Sequence, residues 1–295
     1  MTVAASTRIP IADSHSHSNP SRGLGADLIA SKFREENGWF MALLSLSPWS
    51  YGIDFEGLES YRRVVDLHVR ECRRAASRGI RVSCFSGFHP ADIDKLIDKY
   101  RLRPEKVLEI ARGVIRMLGR YCREGLIDGI GEVGRQHYKT RPERVSLAEI
   151  IMVESVESAR DEGCLVQLHL EQSGETTVYT VDYLLNIKGV GGYRGVIFHH
   201  ATTNVALSAW KRGYAPTIPG IPQPLKHAYS TLDPFFLVES DFIDDPKRPG
   251  VVMYPWLIRE SISRVIREAS GSDLEERIYK TMIDNVVRVF RVEPP

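Results

Sequence analysis

The sequence has no long apolar run, no strong net charge and few cysteines. No hydrophobic stretch approaches the ~20 residues that span a bilayer, and the first residues lack the apolar core of a secretion signal. Lysine and arginine together number 39 against 38 acidic residues, which excludes a general attraction to nucleic acid or membrane. We therefore expect a cytoplasmic protein, in which any polyanion would need a local basic patch.

The four cysteines are widely spaced, and no two of them form a Cys-x-x-Cys pair. Two of them lie in helical or strand patterns, where cysteine packs as a small hydrophobe. We expect all four to be reduced and structural: Cys72, Cys84, Cys122 and Cys164.

Short apolar runs alternate with longer amphipathic segments along the 295 residues. This alternation predicts a parallel sheet covered by helices on both faces. Eight strands are predicted, at 9–17, 40–46, 80–88, 127–133, 164–170, 195–199, 214–218 and 235–241. Helices are predicted at 58–78, 104–124, 146–162, 177–188, 204–212 and 255–269, with an ordered loop at 216–224. Because eight parallel strands can close on themselves, we expect a single (β/α)8 TIM-like barrel, with residues 1–295 as one domain.

Two histidines one residue apart end the first predicted strand. Residues i and i+2 of a strand point to the same side, so His15 and His17 can face one point in space. That arrangement suits a metal ion, although a hydrogen-bonded surface pair would have the same pattern.

Further ligand-type residues end later predicted strands, and in a barrel these ends gather at one mouth. Glu132 follows apolar residues, where an unpaired carboxylate would be unfavourable, so a cation is expected beside it. His169 and Asp241 end the fifth and eighth strands, with a core histidine and a helix cap as their structural alternatives. His199 and His200 are adjacent, so on a regular strand only one would face the mouth, and the sequence leaves that choice open.

The remaining histidines are weaker candidates. His89 follows the third predicted strand and is expected to lie beside the site. His137 and His227 are predicted on loops that can reach a substrate, whereas His68 is predicted in the middle of a helix.

The order of these motifs resembles the TatD-type metal-dependent hydrolases, a branch of the amidohydrolase superfamily. The similar segments cover nearly the whole chain: Asp13-Ser-His-Ser-His17, Gly87-Phe-His-Pro90, Gly131-Glu-Val-Gly134, Leu237-Val-Glu-Ser-Asp241 and Asn285-Val-Val-Arg-Val-Phe290. The resemblance implies a metal-bearing barrel with hydrolase activity, in particular that of a deoxyribonuclease.

The resemblance also implies a set of metal ligands. His15, His17 and Asp241 would hold one divalent ion, and His169 and His199 a second, with Glu132 between them and His89 near the substrate. Histidine-rich ligation favours Zn²⁺ or Mn²⁺ over Mg²⁺, and one or two such ions lower the pKa of a bound water from ~15.7 towards ~7. Asp241 is the expected group that orients this water and moves its proton, and Glu132 is the expected bridging carboxylate.

The chain departs from the family pattern around the expected phosphate. Arg135 follows the fourth-strand glycine, where the family commonly has a hydrophobic residue and then Asp, and Glu171 stands where the family often has Arg. The segment His199-His-Ala-Thr-Thr203 replaces His-Cys-Phe-Ser-Gly. A missing arginine weakens the case for phosphate binding, and the candidate replacements are Arg135, Arg22 and Lys226.

Four functions are therefore considered. The first is a phosphodiesterase acting on DNA ends or another nucleic acid. The second is an amidohydrolase that cleaves a small amide, ester or lactone, or an aminoacyl ester on tRNA. The third is a metal-binding protein without catalysis. The fourth is a PHP-type phosphoesterase, which also opens with His-x-His but normally adds further metal-binding histidines and acids.

Overall fold

Eight parallel strands alternate with helices in the computed structural model, which describes residues 9–247, 252–268 and 273–295. The strands are hydrogen-bonded to one another in chain order. They are β1 (Ile11–His17), β2 (Gly38–Leu44), β3 (Arg81–Ser86), β4 (Gly129–Gly134), β5 (Leu165–His169), β6 (Val196–Phe198), β7 (Ala215–Pro219) and β8 (Leu237–Glu239).

The sheet closes between β8 and β1 through the residues that follow β8. The backbone N–H of Asp241 donates to the carbonyl of His15 at 3.0 Å, and that of His17 donates to the carbonyl of Phe242 at 2.8 Å. The predicted (β/α)8 barrel is therefore confirmed. Its closure places the histidines at the end of β1 beside Asp241, which follows β8.

All eight predicted strands are present, and each end lies within two residues of its predicted position. The largest shifts occur where an apolar run continues beyond the strand pairing. Phe235 and Phe236, for example, are buried but precede β8, which begins at Leu237. The sequence prediction included them because they are apolar.

The helices cover the outside of the barrel. They are α1 (Gly25–Glu35), α2 (Leu58–Ala76), α3 (Pro90–Asp98), α4 (Pro104–Arg123), α5 (Pro142–Glu162), α6 (Glu175–Ile187), α7 (Thr203–Lys211), α8 (Pro222–Thr231), α9 (Ile258–Glu268), α10 (Leu274–Tyr279) and α11 (Asn285–Phe290). None of the helices in the described ranges is both long enough and apolar enough to cross a bilayer.

Four of these helices, α1, α3, α8 and α10, are absent from the sequence prediction because each is short and offers few periodic positions. The loop expected at 216–224 is wrong: β7 continues to Pro219, and α8 begins at Pro222, which suits proline at a first helical position. The helix predicted at 255–269 is a 3₁₀ turn, Pro255–Leu257, followed by α9, and position 269 lies outside the described residues.

The expectation of reduced cysteines is also wrong in this structure. Cys72 of α2 is bonded to Cys84 of β3, with Cα atoms 5.9 Å apart, and Cys122 of α4 is bonded to Cys164, with Cα atoms 6.1 Å apart. Sequence spacing did not indicate these pairs because each joins a helix to a strand region that approaches it only in the folded barrel.

Candidate metal centre

The two histidines of β1 present lone pairs to each other. His15 Nδ1 lies 2.7 Å from Gln167 Oε1, and His17 Nδ1 lies 3.0 Å from the carbonyl of Leu44. Because both partners are acceptors, each Nδ1 carries the proton and each Nε2 is unprotonated. The two Nε2 atoms are only 3.2 Å apart, and burial lowers the pKa of His15 to about 4, so this imidazole is neutral at pH 7. Two facing lone pairs at this distance fit a shared cation.

Glu132 of β4 stands between two pairs of imidazoles. Its Oε2 lies 3.3 Å from His17 Nε2, and its Oε1 lies 2.9 Å from His169 Nδ1 and 3.0 Å from His199 Nε2. The last two nitrogens are themselves 3.0 Å apart. Burial raises the pKa of Glu132, but hydrogen bonds to His169 and His199 outweigh it and hold this pKa well below its usual range. The carboxylate is therefore ionised and in contact with both pairs.

Asp241 faces the same centre from the end of β8. Its Oδ1 lies 3.8 Å from His15 Nε2, and its Oδ2 lies 3.0 Å from His200 Nδ1. Burial raises the pKa of Asp241, but the hydrogen bond with His200 and the nearby imidazoles bring it down to about 2. The structure thus brings Asp241 together with the β1 histidines at one rim of the barrel.

Both members of the His199–His200 pair reach the site, which corrects the expectation that only one would face the mouth. Strand β6 ends at Phe198, and His200 has a φ of 55°, in the left-handed region. Strand alternation therefore does not apply, and His199 turns towards Glu132 while His200 turns towards Asp241.

The other predicted histidines divide into two groups. His89 and His137 lie at the site, each with its ring centroid 4.7 Å from that of His169. His89 Nδ1 accepts from the N–H of Ala91, which leaves Nε2 as a donor when the ring is neutral, and burial lowers the pKa of His89 to about 3. His68 lies in α2 and His227 in α8, so neither belongs to this cluster.

The donor set fits one or two divalent ions. Ligand atoms bound ~2.0–2.2 Å from one ion stand roughly 3–3.5 Å from each other, close to the 2.9–3.3 Å separations around Glu132. Within the described ranges four groups of donor atoms at this mouth could each hold an ion: His15, His17 and Glu132; His15, His199 and Glu239; His89, Glu132 and His169; His199, His200 and Asp241. Nitrogen and carboxylate oxygen donors suit Zn²⁺ or Mn²⁺ better than a soft, thiolate-seeking metal.

Two residues that support the centre were not predicted. Gln167 accepts the proton of His15 Nδ1, and Glu239 lies fully buried with its Oε2 3.7 Å from His199 Nδ1. Gln167 stands two residues before His169, so strand parity placed it on the same side of β5 and could have identified it. Glu239 lies two residues before Asp241, so the same two-residue spacing could have identified it.

Two of the three candidate replacements for the missing cation are engaged elsewhere. Arg135 is buried, and its guanidinium lies 3.3 Å from Glu149 and 3.1 Å from Glu171. Lys226 of α8 pairs with Glu268 of α9 at 2.9 Å on the outer surface. Neither side chain is therefore available to an anion at the metal centre.

Comparison with known proteins gives consistent matches over the whole barrel. The family model described as "TatD related DNase" matches residues 12–291. The uncharacterized protein MJ1127 of Methanocaldococcus jannaschii is 27% identical over 289 residues, which is 97% of each chain. The fold is similar to that of YJJV, a TatD homolog from Escherichia coli K12, with TM-score 0.62, 16% identity and coverage of 96% of this chain and 98% of that one. It is also similar to that of the phosphotriesterase homology protein from Escherichia coli, which was solved with phosphate in its active site, with TM-score 0.60, 14% identity and coverage of 95% and 99%.

Proposed function

Because this chain belongs to the TatD-related DNase family, we propose that it is a divalent-metal-dependent phosphodiesterase that acts on nucleic acid. The predicted resemblance to this family is confirmed by the family match, and with it the class of metal-dependent hydrolase. The proposal extends to the substrate, to the individual ligands, and to residues 1–295 acting as one barrel domain.

The observation that carries the proposal is the position of Glu132 between two pairs of imidazoles. His15, His17 and Asp241 would hold one ion, His169 and His199 would hold a second, and the Glu132 carboxylate, which contacts both sets of imidazoles, would serve both. Bound Zn²⁺, Mn²⁺ or Mg²⁺ would supply an activated water and polarise the phosphoryl oxygen under attack. The phosphate in the active site of the structurally similar Escherichia coli protein supports a phosphoryl substrate.

The proton of the attacking water is assigned to Asp241. This carboxylate is ionised, and His200 Nδ1 lies 3.0 Å from its Oδ2. The side chain of His200 is 39% exposed, so a proton accepted by Asp241 has a route to solvent. His89, with Nε2–H free to donate, is positioned to hydrogen-bond a substrate oxygen beside His169.

The test is hydrolysis by the purified protein loaded with Mn²⁺ or Zn²⁺. We expect turnover of bis-p-nitrophenyl phosphate and of single-stranded DNA, and we expect a chelator to stop both. Activity on no phosphodiester, together with turnover of an ester or lactone, would overturn the proposal. The metal content of the purified protein provides an independent test. A wild-type protein that binds no divalent ion would contradict any metal-dependent hydrolase function.

The second candidate is an amidohydrolase acting on a small amide, ester or lactone, or on an aminoacyl ester of tRNA. It is favoured by the contacts of Arg135, whose guanidinium is held by Glu149 and Glu171 rather than directed to the centre. A neutral carbonyl substrate does not need that cation, whereas a phosphodiester benefits from one. A panel of uncharged esters and lactones, assayed beside the phosphodiesters, separates the two functions.

The proposed location is the cytoplasm, and the substrate is not expected to be in a membrane. The two disulfides bear on this proposal, because disulfides are rare in the cytosol of mesophiles but common inside hyperthermophiles. Thiol counting on protein isolated directly from its native cells, after rapid alkylation, would test whether both bonds are present there.

A further inference from the structure

An exposed histidine of the loop between β4 and α5 lies at the metal centre without belonging to the proposed ligand set. The ring of His137 contacts that of the proposed ligand His169, with the two centroids 4.7 Å apart, and the side chain is exposed. Its ring nitrogens make no hydrogen bond with any residue in the described ranges. Because a neutral imidazole carries one N–H, this side chain offers a donor to a ligand at the mouth.

A single carboxylate of α3 holds this loop in place. Four side chains donate to Asp94, two to each oxygen: Thr140 Oγ1 at 2.5 Å and Arg144 at 2.8 Å to Oδ1, and Tyr138 Oη at 2.9 Å and Gln136 Nε2 at 3.0 Å to Oδ2. These donors fill the four lone-pair positions of an ionised carboxylate. Burial raises the pKa of Asp94, but the four hydrogen bonds outweigh it and hold this pKa below its usual range. The carboxylate is therefore ionised and fully engaged by the loop and the start of α5.

The contacts of the loop lie immediately before and after His137. Gln136 and Tyr138, its two chain neighbours, both donate to the α3 carboxylate. The backbone N–H of Arg135 donates to the carbonyl of His169 at 2.8 Å, which joins the loop to the strand that carries the proposed ligand. The backbone on both sides of His137 is thus fixed relative to His169, although the imidazole itself is exposed.

A second carboxylate of α3 provides a comparison. Asp98 also pairs with Arg144, at 2.5 Å, but its side chain is 62% exposed and it accepts from no residue of the β4–α5 loop in the described ranges. Asp94 therefore does more than pair with an arginine, because it fixes the loop. A polar group that is held in place before the ligand arrives loses less conformational freedom on binding, so such anchoring increases the affinity of the contact.

We propose that His137 is a further substrate-binding residue, whose ring N–H donates to a substrate oxygen beside His169, and that Asp94 is a positioning residue that holds this N–H at the mouth. The inference rests on the proposed function in that the mouth must hydrolyse a substrate. It does not depend on the class of that substrate, because phosphoryl and carbonyl oxygens both accept hydrogen bonds. His137 is assigned neither to a metal nor to a proton transfer. Its contribution is to binding, which predicts an effect on KM more than on kcat.

The test is steady-state kinetics of metal-loaded proteins on bis-p-nitrophenyl phosphate, with p-nitrophenyl butyrate assayed in parallel. His137→Ala should raise KM about 3- to 10-fold and change kcat less than about twofold, as expected for the loss of one neutral hydrogen bond. His137→Phe keeps a ring against His169 but has no donor, so it should show the same rise. His137→Gln keeps an N–H and should recover most of the loss. All three variants should bind as much metal as the wild type, which separates a substrate contact from a metal ligand.

A double-mutant cycle tests whether Asp94 acts through His137. Asp94→Asn converts one acceptor oxygen into a donor and should raise KM about 3- to 10-fold. Asp94→Asn combined with His137→Ala should raise KM no further than His137→Ala alone, because both changes remove the same contact. Asp98→Asn is the matched control and should leave KM unchanged. If Asp94→Asn does not fold, Tyr138→Phe combined with Thr140→Val removes two of the four donors and replaces it in the cycle.

The outcomes distinguish this inference from the proposed function. If the wild type hydrolyses the phosphodiester and the His137 variants keep its KM, the inference is overturned and the phosphodiesterase function stands. If the factors of the two single variants multiply in the double variant, Asp94 does not act through His137 and its positioning role is overturned. If the wild type hydrolyses only the ester and the expected changes in KM are found there, the phosphodiesterase function is overturned and the inference is supported. If neither substrate is hydrolysed, both are overturned.

Discussion

Among the residues that the structure describes, two clusters of ligand-type residues lie in the barrel, one at the mouth and one between α2 and β3. The second consists of His68, Cys72 and Cys84, whose donor atoms are as close together as those of the mouth groups. The atoms that face one another there are already used, because the two sulfurs are bonded to each other and His68 Nε2, the ring nitrogen on their side, donates to the carbonyl of Leu43 at 3.1 Å. The lone pair of His68 that remains is on Nδ1, which has no hydrogen-bond partner among the described residues. At the mouth, by contrast, the Nδ1 protons of His15 and His17 are held by oxygen acceptors and both Nε2 lone pairs remain free.

The difference shows that residue type and proximity do not suffice for a metal site. What counts is which lone pairs remain after the hydrogen bonds of the fold have been made. The oxygen atoms of Gln167 and Leu44 are therefore as important to the mouth cluster as the imidazoles that they orient.

The largest expected effect concerns Glu132, the contact between the two pairs of imidazoles. Glu132→Gln should lower kcat/KM by about a thousandfold or more and should remove bound metal, because the negative charge between the two pairs of imidazoles is lost. His68→Gln is the matched substitution in the other cluster and should leave both kcat/KM and the metal content unchanged. Metal analysis and kinetics on the same samples provide the measurement, and full metal content in Glu132→Gln would contradict the assignment.

The disulfides should affect stability and not metal. Removing the Cys122–Cys164 bond by two serine substitutions should lower the free energy of unfolding by about 4 kcal/mol, and removing Cys72–Cys84 by about 3 kcal/mol, because the bonds close segments of 42 and 12 residues. Urea denaturation of metal-loaded proteins measures the two values. Loss of bound metal in Cys72→Ser/Cys84→Ser would instead make the second cluster a metal site.

His68 of the second cluster should also make the free energy of unfolding depend on pH. Burial lowers the pKa of His68 to about 4 from its ordinary 6.5, so between these values the unfolded chain takes up a proton that the folded chain does not. Unfolding therefore becomes more favourable as pH falls through this window, by up to about 3 kcal/mol. His68→Gln removes this titration, so the stability of the variant relative to the wild type should rise from pH 6.5 to 4. A constant difference across that range would show that His68 does not titrate as described.

The smallest expected effect sharpens the role of hydrogen-bonded acceptors at the mouth. Gln167→Ala leaves His15 Nδ1 without its acceptor and should weaken metal binding about 10- to 100-fold, measured by competition with a chromogenic chelator. Gln167→Glu restores an acceptor oxygen and should recover most of that affinity. Equal loss in both variants would indicate that the side chain fills space and does not orient the ring.

Much of the fold could be predicted from periodicity. Eight apolar runs separated by amphipathic segments predicted the barrel, which has eight strands. The spacing of His15 and His17 in β1 predicted that their side chains face the same point, and their Nε2 atoms are 3.2 Å apart. The contacts of Arg135 could not be predicted, because its partners Glu149 and Glu171 lie on different elements that meet only in the barrel. The placement of both His199 and His200 at the site was missed because it depends on a left-handed residue after the end of β6.

By itself, the sequence determined the strand count, the family and the set of polar residues that follow each apolar run, since these depend on local patterns of side chains. Only the tertiary structure decided which of those residues share contacts: the Glu132 position, the acceptors of His15 and His17, and the disulfide pairs. The physical reason is that each of these contacts joins elements far apart in the chain, and closure of the barrel fixes their distances.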